Sequence, residues 1–261
     1  MQLKYCLTAQ NMILCFIIIP LLLFQACSTM YIPSSMCAPL LDKKNDVQVE
    51  AGASTNSFYL SGGYAFSEKY ALIVHGNISY LNLFKSDNNN ITSNASGFNF
   101  NPFPTNAFEH RYAEIGIGKY NLLSSTEKLE LFVGGGYGCA VENSIYKNKY
   151  WLGFVQGNMG RRWNAVELGL SFRMAYSGFH FSYQSEKNPL NDHRRNFNNF
   201  HIEPIFFLRV GGESVHVFLR AGFSKTNPAE SLSGINLDYG IERERLRYTV
   251  LHLSTGMSFR F

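Results

Sequence analysis

The sequence has little charge and little cysteine, and each shortage removes a class of protein. Charged residues make up only 16% of the 261. The longest basic cluster is Arg161-Arg162, so no stripe of Lys and Arg suits a nucleic-acid backbone. There are five cysteines. Cys6 and Cys15 fall in an apolar leader, while Cys37 and Cys139 stand too far apart to read as a disulfide framework. No His or Cys pair has the spacing of zinc ligands, so neither a metal nor another cofactor is expected. From Asp46 onward no window sustains an apolar period of 3.6, which argues against a helical domain. What the chain has instead is 22 Phe, 15 Tyr and 22 Gly, a composition suited to strands, tight turns and close packing.

The first 26 residues read as a signal peptide. Lys4 gives a weakly positive start, and Met12 to Phe24 ("MILCFIIIPLLLF") has the length of a signal core. That run is too short for a membrane helix, and Pro20 interrupts it. Phe24-Gln25-Ala26-Cys27 then resembles a bacterial lipobox, with Phe24 where Leu is usual. The resemblance implies cleavage before Cys27 and a lipid on its thiol. Residues 27–45, with Pro33, Pro39 and Asp42-Lys43-Lys44-Asn45, read as a lipid-anchored periplasmic linker.

Residues 46–261 read as a series of strands. Val166, Leu168, Leu170, Phe172, Met174 and Tyr176 alternate with Glu167, Gly169, Ser171, Arg173 and Ala175. The same pattern recurs around Val74, around Leu219 and in the last strand, where Leu251, Leu253, Thr255, Met257, Phe259 and Phe261 share one face. Ten strands are expected, centred near Val49, Leu60, Val74, Ile115, Val133, Val155, Leu170, Phe206, Leu219 and Leu253, with eight as the other count. Short connections are expected at Ser67-Glu68, Leu123 to Lys128, Arg161 to Asn164 and Gly211 to Ser214. Long ones are expected from Asn82 to Phe108, Glu142 to Lys149, Gln184 to Asn199 and Lys225 to Glu244. In an antiparallel up-and-down barrel this alternation collects the long loops on one rim. Short periplasmic turns and long external loops are the pattern of a transmembrane β-barrel. The less apolar face carries Glu114, Glu130, Glu167, Arg173, Arg209, Arg220 and Arg260, which are expected to pair as ions across a narrow lumen.

The final stretch, "STGMSFRF", resembles the C-terminal β-signal of bacterial outer-membrane proteins through Ser254, Gly256, Phe259 and terminal Phe261. With the lipobox and the linker, the chain resembles the outer-membrane β-barrel lipoproteins of Bacteroidetes-type bacteria. The resemblance implies an all-β outer-membrane barrel, a periplasmic lipidated N-terminus, and the barrel-assembly machinery and membrane lipid as partners. It carries over no catalytic residue.

The function expected from these features is a non-catalytic surface barrel whose loops contact a partner or a surface polymer. Arg194 and Arg195 are placed to touch lipopolysaccharide phosphates. Three alternatives stand beside it. A small porin-like channel requires an open lumen, whereas a barrel this narrow tends to fill with side chains. A membrane-embedded enzyme is represented by His252 and Ser254, which share a strand face as in lipid A deacylase barrels, and by Asp192-His193, which resembles the Asp-His pair of omptin proteases. Asp87, flanked by Ser86 and Asn88, offers no carboxylate pair to complete the latter site. A soluble lipid-anchored barrel that binds an apolar ligand is the remaining alternative, and it requires the apolar face inside.

Overall fold

The computed structural model describes residues 35–54, 57–79, 108–123, 126–142, 146–184, 192–228 and 249–261. Cys27, Asp87 and most of the expected long loops lie outside them. Ten antiparallel strands follow one another around a closed barrel: β1 (Val47–Ser54), β2 (Ser57–Tyr64), β3 (Tyr70–Ser79), β4 (Phe108–Leu122), β5 (Glu127–Glu142), β6 (Tyr146–Trp163), β7 (Val166–Gln184), β8 (Asp192–Gly211), β9 (Val215–Pro228) and β10 (Thr249–Arg260). Each strand pairs with its sequence neighbours, and β1 closes the barrel on β10. Each of the ten expected centres falls within its own strand, and the count is ten rather than eight.

The alternation points outward with its apolar face. Leu60, Leu131 and Val217 are each 59% exposed, whereas the inward Gln156 and Arg173 are 0% exposed. The exterior carries Ile115, Val133, Met174, Phe206 and Leu219, and the interior carries Glu, Arg, His, Asn and Ser. A soluble ligand-binding barrel needs the reverse arrangement. The period of two is satisfied because hydrocarbon stabilises one face, while side-chain partners across the lumen stabilise the other.

The two rims differ. One collects Val47, the turns around 65–69, 123–126, 164–165 and 212–214, and the chain end. There the backbones of Val47 and Phe261 bond to each other in both directions, at 2.9 and 3.2 Å, and Arg260 N–H donates to the Ser214 carbonyl at 2.9 Å. We call this the short-turn rim and the opposite one the long-loop rim. Strand length is uneven around the wall. β1 and β2 have 8 residues each, whereas β6, β7 and β8 have 18, 19 and 20. A tilted strand needs only about 9–11 residues to cross hydrocarbon. Because the short-turn rim is level, the surplus of β6–β8 rises beyond the long-loop end.

That surplus corrects two expected loops. Residues 143–145 alone join β5 to β6, because β6 already begins at Tyr146; cross-strand pairs such as Glu142 with Tyr146 extend the ladder. Likewise β8 begins at Asp192, so Asp192 and His193 lie on a strand opposite Gln184 and Tyr183 rather than in a loop. At the seam, Gly52 faces Gly256 and the Phe218 ring lies against both. A Cβ at Gly256 would come within 2.8 Å of that ring, so the close approach needs glycine.

Candidate functional site

The lumen is occupied by the chain's own N-terminal segment. Ser35, Met36, Cys37, Ala38, Leu40 and Leu41 are all buried inside the barrel. This differs from the linker expected over 27–45: its described part from Ser35 to Leu41 is a plug. The plug sequence explains why it fits. From Ser35 to Leu41 no residue is charged, and the side chains are small or apolar. Its backbone groups then need partners, since a buried unpaired carbonyl is costly.

The wall supplies them from four strands. Gln156 of β6 donates to the Cys37 carbonyl at 2.7 Å. Arg209 of β8 donates to the Ala38 carbonyl. Arg260 of β10 donates to the carbonyls of Pro39 at 2.9 Å and Leu40 at 3.1 Å. Lys128 of β5 also reaches the Leu40 carbonyl, at 3.1 Å. Glu130 of β5 accepts from the Leu41 N–H at 2.8 Å. At the upper end, Ser35 Oγ lies 2.8 Å from His252 Nε2. At the lower end, Asp42 meets Lys128, Arg162 at 2.6 Å and Arg260 at 3.3 Å.

Around the plug runs an ion network. Glu50 of β1 holds both Arg209, at 2.7 Å, and Arg220 of β9. Arg209 bridges from Glu50 to Glu167 of β7, which also takes Arg162 at 2.6 Å. Higher up, Arg173 and Glu114 form a two-bond pair at 2.7 and 2.9 Å. Three guanidiniums also lie over rings: Arg173 on Phe154 at 4.2 Å, Arg209 on Phe207 at 4.7 Å and Arg220 on Phe218 at 4.9 Å. Such stacking covers the flat faces of the cations while their edges bond to carboxylates.

All seven acidic and basic residues expected in the lumen are there. Glu114, Glu167, Arg173, Arg209 and Arg220 make buried ion pairs, and Arg260 joins at the rim. Glu130 departs from the expectation. Its partners are Leu41 N–H and the Asn158 amide at 2.9 Å, so it binds the plug rather than an arginine. Glu50, Asp42, Lys128 and Gln156 were missed. Glu50 had a legible signal: in "VQVEAGAS" it shares the polar face of a short alternating strand with Gln48. A second signal was the repeated Phe-Leu-Arg of Phe207-Leu208-Arg209 and Phe218-Leu219-Arg220, which places each stacked pair two residues apart on one face.

Above the plug the β4–β7 wall is aromatic. Tyr112 and Tyr150 stack at 5.8 Å and 12°, with His110 and Phe179 at either side. Tyr112 donates to Glu114 at 2.6 Å. Gly136 makes room for that ring; a Cβ there would stand 2.7 Å from Tyr112 Cζ.

His252 and Ser254 do not meet each other, and the side chains of Asp87, Asp192 and His193 lie outside the described residues. His252 and Ser254 both face the lumen, but His252 bonds to Ser35, and Ser254 accepts from the Tyr59 hydroxyl at 3.4 Å. Another Ser–His contact, Ser177 with His201 at 2.6 Å, is fully buried, and the other ring nitrogen lies 2.9 Å from Thr226 Oγ1 rather than from a carboxylate. Among the described residues no three His, Cys, Asp or Glu side chains gather as a metal site would require. Of the β-signal residues, Gly256 sits at the seam, Ser254 points inward, Phe259 pairs across the seam with Val49, and Phe261 is exposed at the short-turn rim.

Comparison with known proteins places this geometry. The outer-membrane protease OmpT of Escherichia coli superposes with a TM-score of 0.51 and 8% identity, over 83% of this chain and 96% of OmpT. The fold is that of an outer-membrane β-barrel. The N-terminal β-barrel domain of Pseudomonas aeruginosa OprF matches at TM-score 0.33 and 11% identity, over 84% of this chain and all of that domain. The KdgM porin, in complex with disordered oligogalacturonate, matches at 0.32 and 9%, over 83% of this chain and 99% of the porin. No protein-family model and no curated protein sequence matches the chain.

Proposed function

We propose that this protein is a non-catalytic outer-membrane barrel lipoprotein, lipidated at Cys27, whose lumen is closed by its own plug. Its raised long-loop end contacts a surface polymer such as lipopolysaccharide or a partner molecule. The observation that supports this reading best is the capture of successive plug carbonyls, Cys37 through Leu40, by side chains from four strands. A channel segment that moves aside in ordinary conduction would not be bonded to so much of the wall. The apolar exterior supports membrane insertion, and the strand surplus of β6–β8 supports a contact surface raised above the bilayer.

A single-channel recording on purified, reconstituted protein tests the reading. The expected result is no stable open state. A steady conductance in the unmodified barrel would overturn the closed reading in favour of the porin-like alternative, and hydrolysis of lipid A or of a peptide panel by the same preparation would overturn the non-catalytic one.

A further inference from the structure

The outward charges of the wall differ in their surroundings at its two ends. At the short-turn end, Arg161 of β6 faces Glu127 at 3.6 Å and lies over the Trp163 ring at 5.2 Å. Lys119 of β4 likewise lies over the Tyr70 ring at 5.7 Å. Toward the long-loop end, Arg111 of β4 and Lys147 and Lys149 of β6 are exposed on the outer face. Among the described residues, none of these three meets a carboxylate or an aromatic ring. Glu109, two residues along β4 from Arg111, is the one carboxylate described beside them, so positive charge prevails. The opposite wall is different: β1, β2, β3 and β10 present Ala53, Phe58, Ile78 and Leu251 outward at this end.

The register brings Arg111 and Lys149 together. Both are cross-strand partners of Cys139 on β5, so Arg111, Cys139 and Lys149 form one outward row. Their backbones stand two strand spacings apart, about 10 Å, with a small side chain between them. Two long side chains can close that gap on one anion. One row toward the hydrocarbon, Tyr137 pairs with Trp151, whose ring lies 5.7 Å from that of Tyr176. Below these, Gly135 pairs with Gly153, and a Cβ on Gly153 would meet nothing within 4 Å, which leaves a shallow recess. The depth of the row follows from β6. Between exposed Arg161 and exposed Lys149, its outward residues are Met159, Gly157, Val155, Gly153 and Trp151. Residues 150–160 match the about 9–11 residues with which a tilted strand crosses hydrocarbon. Lys149 therefore stands at the boundary where lipid headgroups lie, just beyond the aromatic girdle.

From this row we propose that Arg111, Lys147 and Lys149 bind the phosphorylated headgroup of an outer-leaflet lipid, the lipid A portion of lipopolysaccharide. The phosphate lies over Cys139 between Arg111 and Lys149, where the guanidinium fork takes two oxygens and the ammonium a third. Lys147, the next outward position along β6, is placed for a second charge on the same headgroup. The acyl chain descends past Tyr137 and Trp151 into the recess at Gly135 and Gly153. Charge complementarity selects this occupant. An uncharged acyl chain leaves the cations unmet, and a free phosphate leaves the apolar recess beneath them unused. The assignment deepens the surface-polymer contact proposed above and rests on its outer-membrane orientation for the leaflet.

The test offers the purified full chain three probes: bisphosphorylated lipid A, the same lipid A after dephosphorylation, and phosphatidylglycerol. Native mass spectrometry reads the bound lipid, and heat-modifiable migration reports that each variant is folded. Arg111→Gln with Lys149→Gln is expected to weaken lipid A binding by about tenfold or more, through loss of two charge-assisted contacts. Lys119→Gln with Arg161→Gln, at the short-turn end, is expected to leave it unchanged. Bound lipid A is also expected to slow maleimide labelling of Cys139, mapped by peptide mass, and the first double variant to abolish that protection. Equal losses in both double variants, or equal binding of dephosphorylated lipid A, would mean nonspecific adsorption and overturn the site. Equal binding of phosphatidylglycerol would overturn the lipid A assignment. If Arg194→Gln with Arg195→Gln loses the binding while Arg111→Gln with Lys149→Gln keeps it, this site falls and the surface-polymer reading stands. Lipid A bound by none of the proteins overturns the site and the lipopolysaccharide contact together.

Discussion

Near the short-turn rim, Glu50, Glu167, Asp42, Lys128, Arg162, Arg209 and Arg260 meet opposite charges or plug carbonyls, and the atoms left without a partner are nitrogens of arginines otherwise paired: Arg220 Nε and Nη1 and Arg260 Nε. Toward the long-loop rim the lumen is mostly neutral, with stacked rings on one wall and small hydroxyls on the other. His75, Asn77 and Ser224 keep buried polar atoms without partners there. The contrast shows that one barrel can be closed by two kinds of interior. The lower half is specified by charge and leaves little freedom in where the plug sits. The upper half is specified by ring packing on one side, while its other side has polar groups in excess of their partners.

The largest effect is expected where the lower network converges. Arg209 serves Glu50, Glu167 and the Ala38 carbonyl at once. Arg209→Met leaves two buried carboxylates short of a partner and is expected to destabilise the barrel by about 3–5 kcal/mol. The measurement is the urea midpoint of the heat-modifiable gel band. The aromatic wall ranks second. Gly136→Leu drives a side chain into Tyr112 and is expected to cost about 1–3 kcal/mol by overpacking. A loss as large as that of Arg209→Met would mean that ring packing holds the upper wall as firmly as charge holds the lower one.

Gln156 links the two halves and is a finer probe. It donates to the Cys37 carbonyl and to Asn158 Oδ1 and accepts from Arg173. Gln156→Leu leaves the Cys37 carbonyl only the long 3.5 Å bond from Asn158 and removes both bonds that Arg173 makes to Gln156, for an expected loss of about 1–2 kcal/mol. Because the bond to Cys37 helps seat the plug, the same variant is expected to expose the Cys37 thiol, now 1% exposed, to a small maleimide. Unchanged thiol protection would show that the charged contacts below seat the plug without help from Gln156.

The sequence made the wall legible and left the plug hidden, for a physical reason. Strands announce themselves by a period of two because each side chain alternates between lipid and lumen, so ten strands and the inward Glu and Arg residues could be read directly. The plug has no period, since nothing about its own conformation repeats. What holds it is distant in sequence: Glu130, Gln156 and Arg209 bind main-chain atoms of Leu41, Cys37 and Ala38, and main-chain atoms carry no sequence signature. The same reasoning explains Glu130, read as an ion-pair residue although its partners are an N–H and an amide. The extra length of β6 and β8 is hard to read because Tyr146-Lys147-Asn148-Lys149 and Asp192 to Asn199 hold a single wholly apolar side chain, Phe197, and so show no alternation.

The smallest expected effect falls on His75, and it gives the sharpest test of the comparison. Its ring is 3% exposed, and neither nitrogen has a hydrogen-bond partner. Its neighbours are the rings of Tyr59 at 5.6 Å and Tyr112 at 6.5 Å. Removing a buried polar group that makes no bond relieves a desolvation cost, and a leucine keeps most of the volume. His75→Leu is therefore expected to shift stability by less than about 1 kcal/mol, in either direction. A loss comparable to that of Arg209→Met would instead mean that His75 is bonded in the folded protein, and the upper half would then be as fully satisfied as the lower.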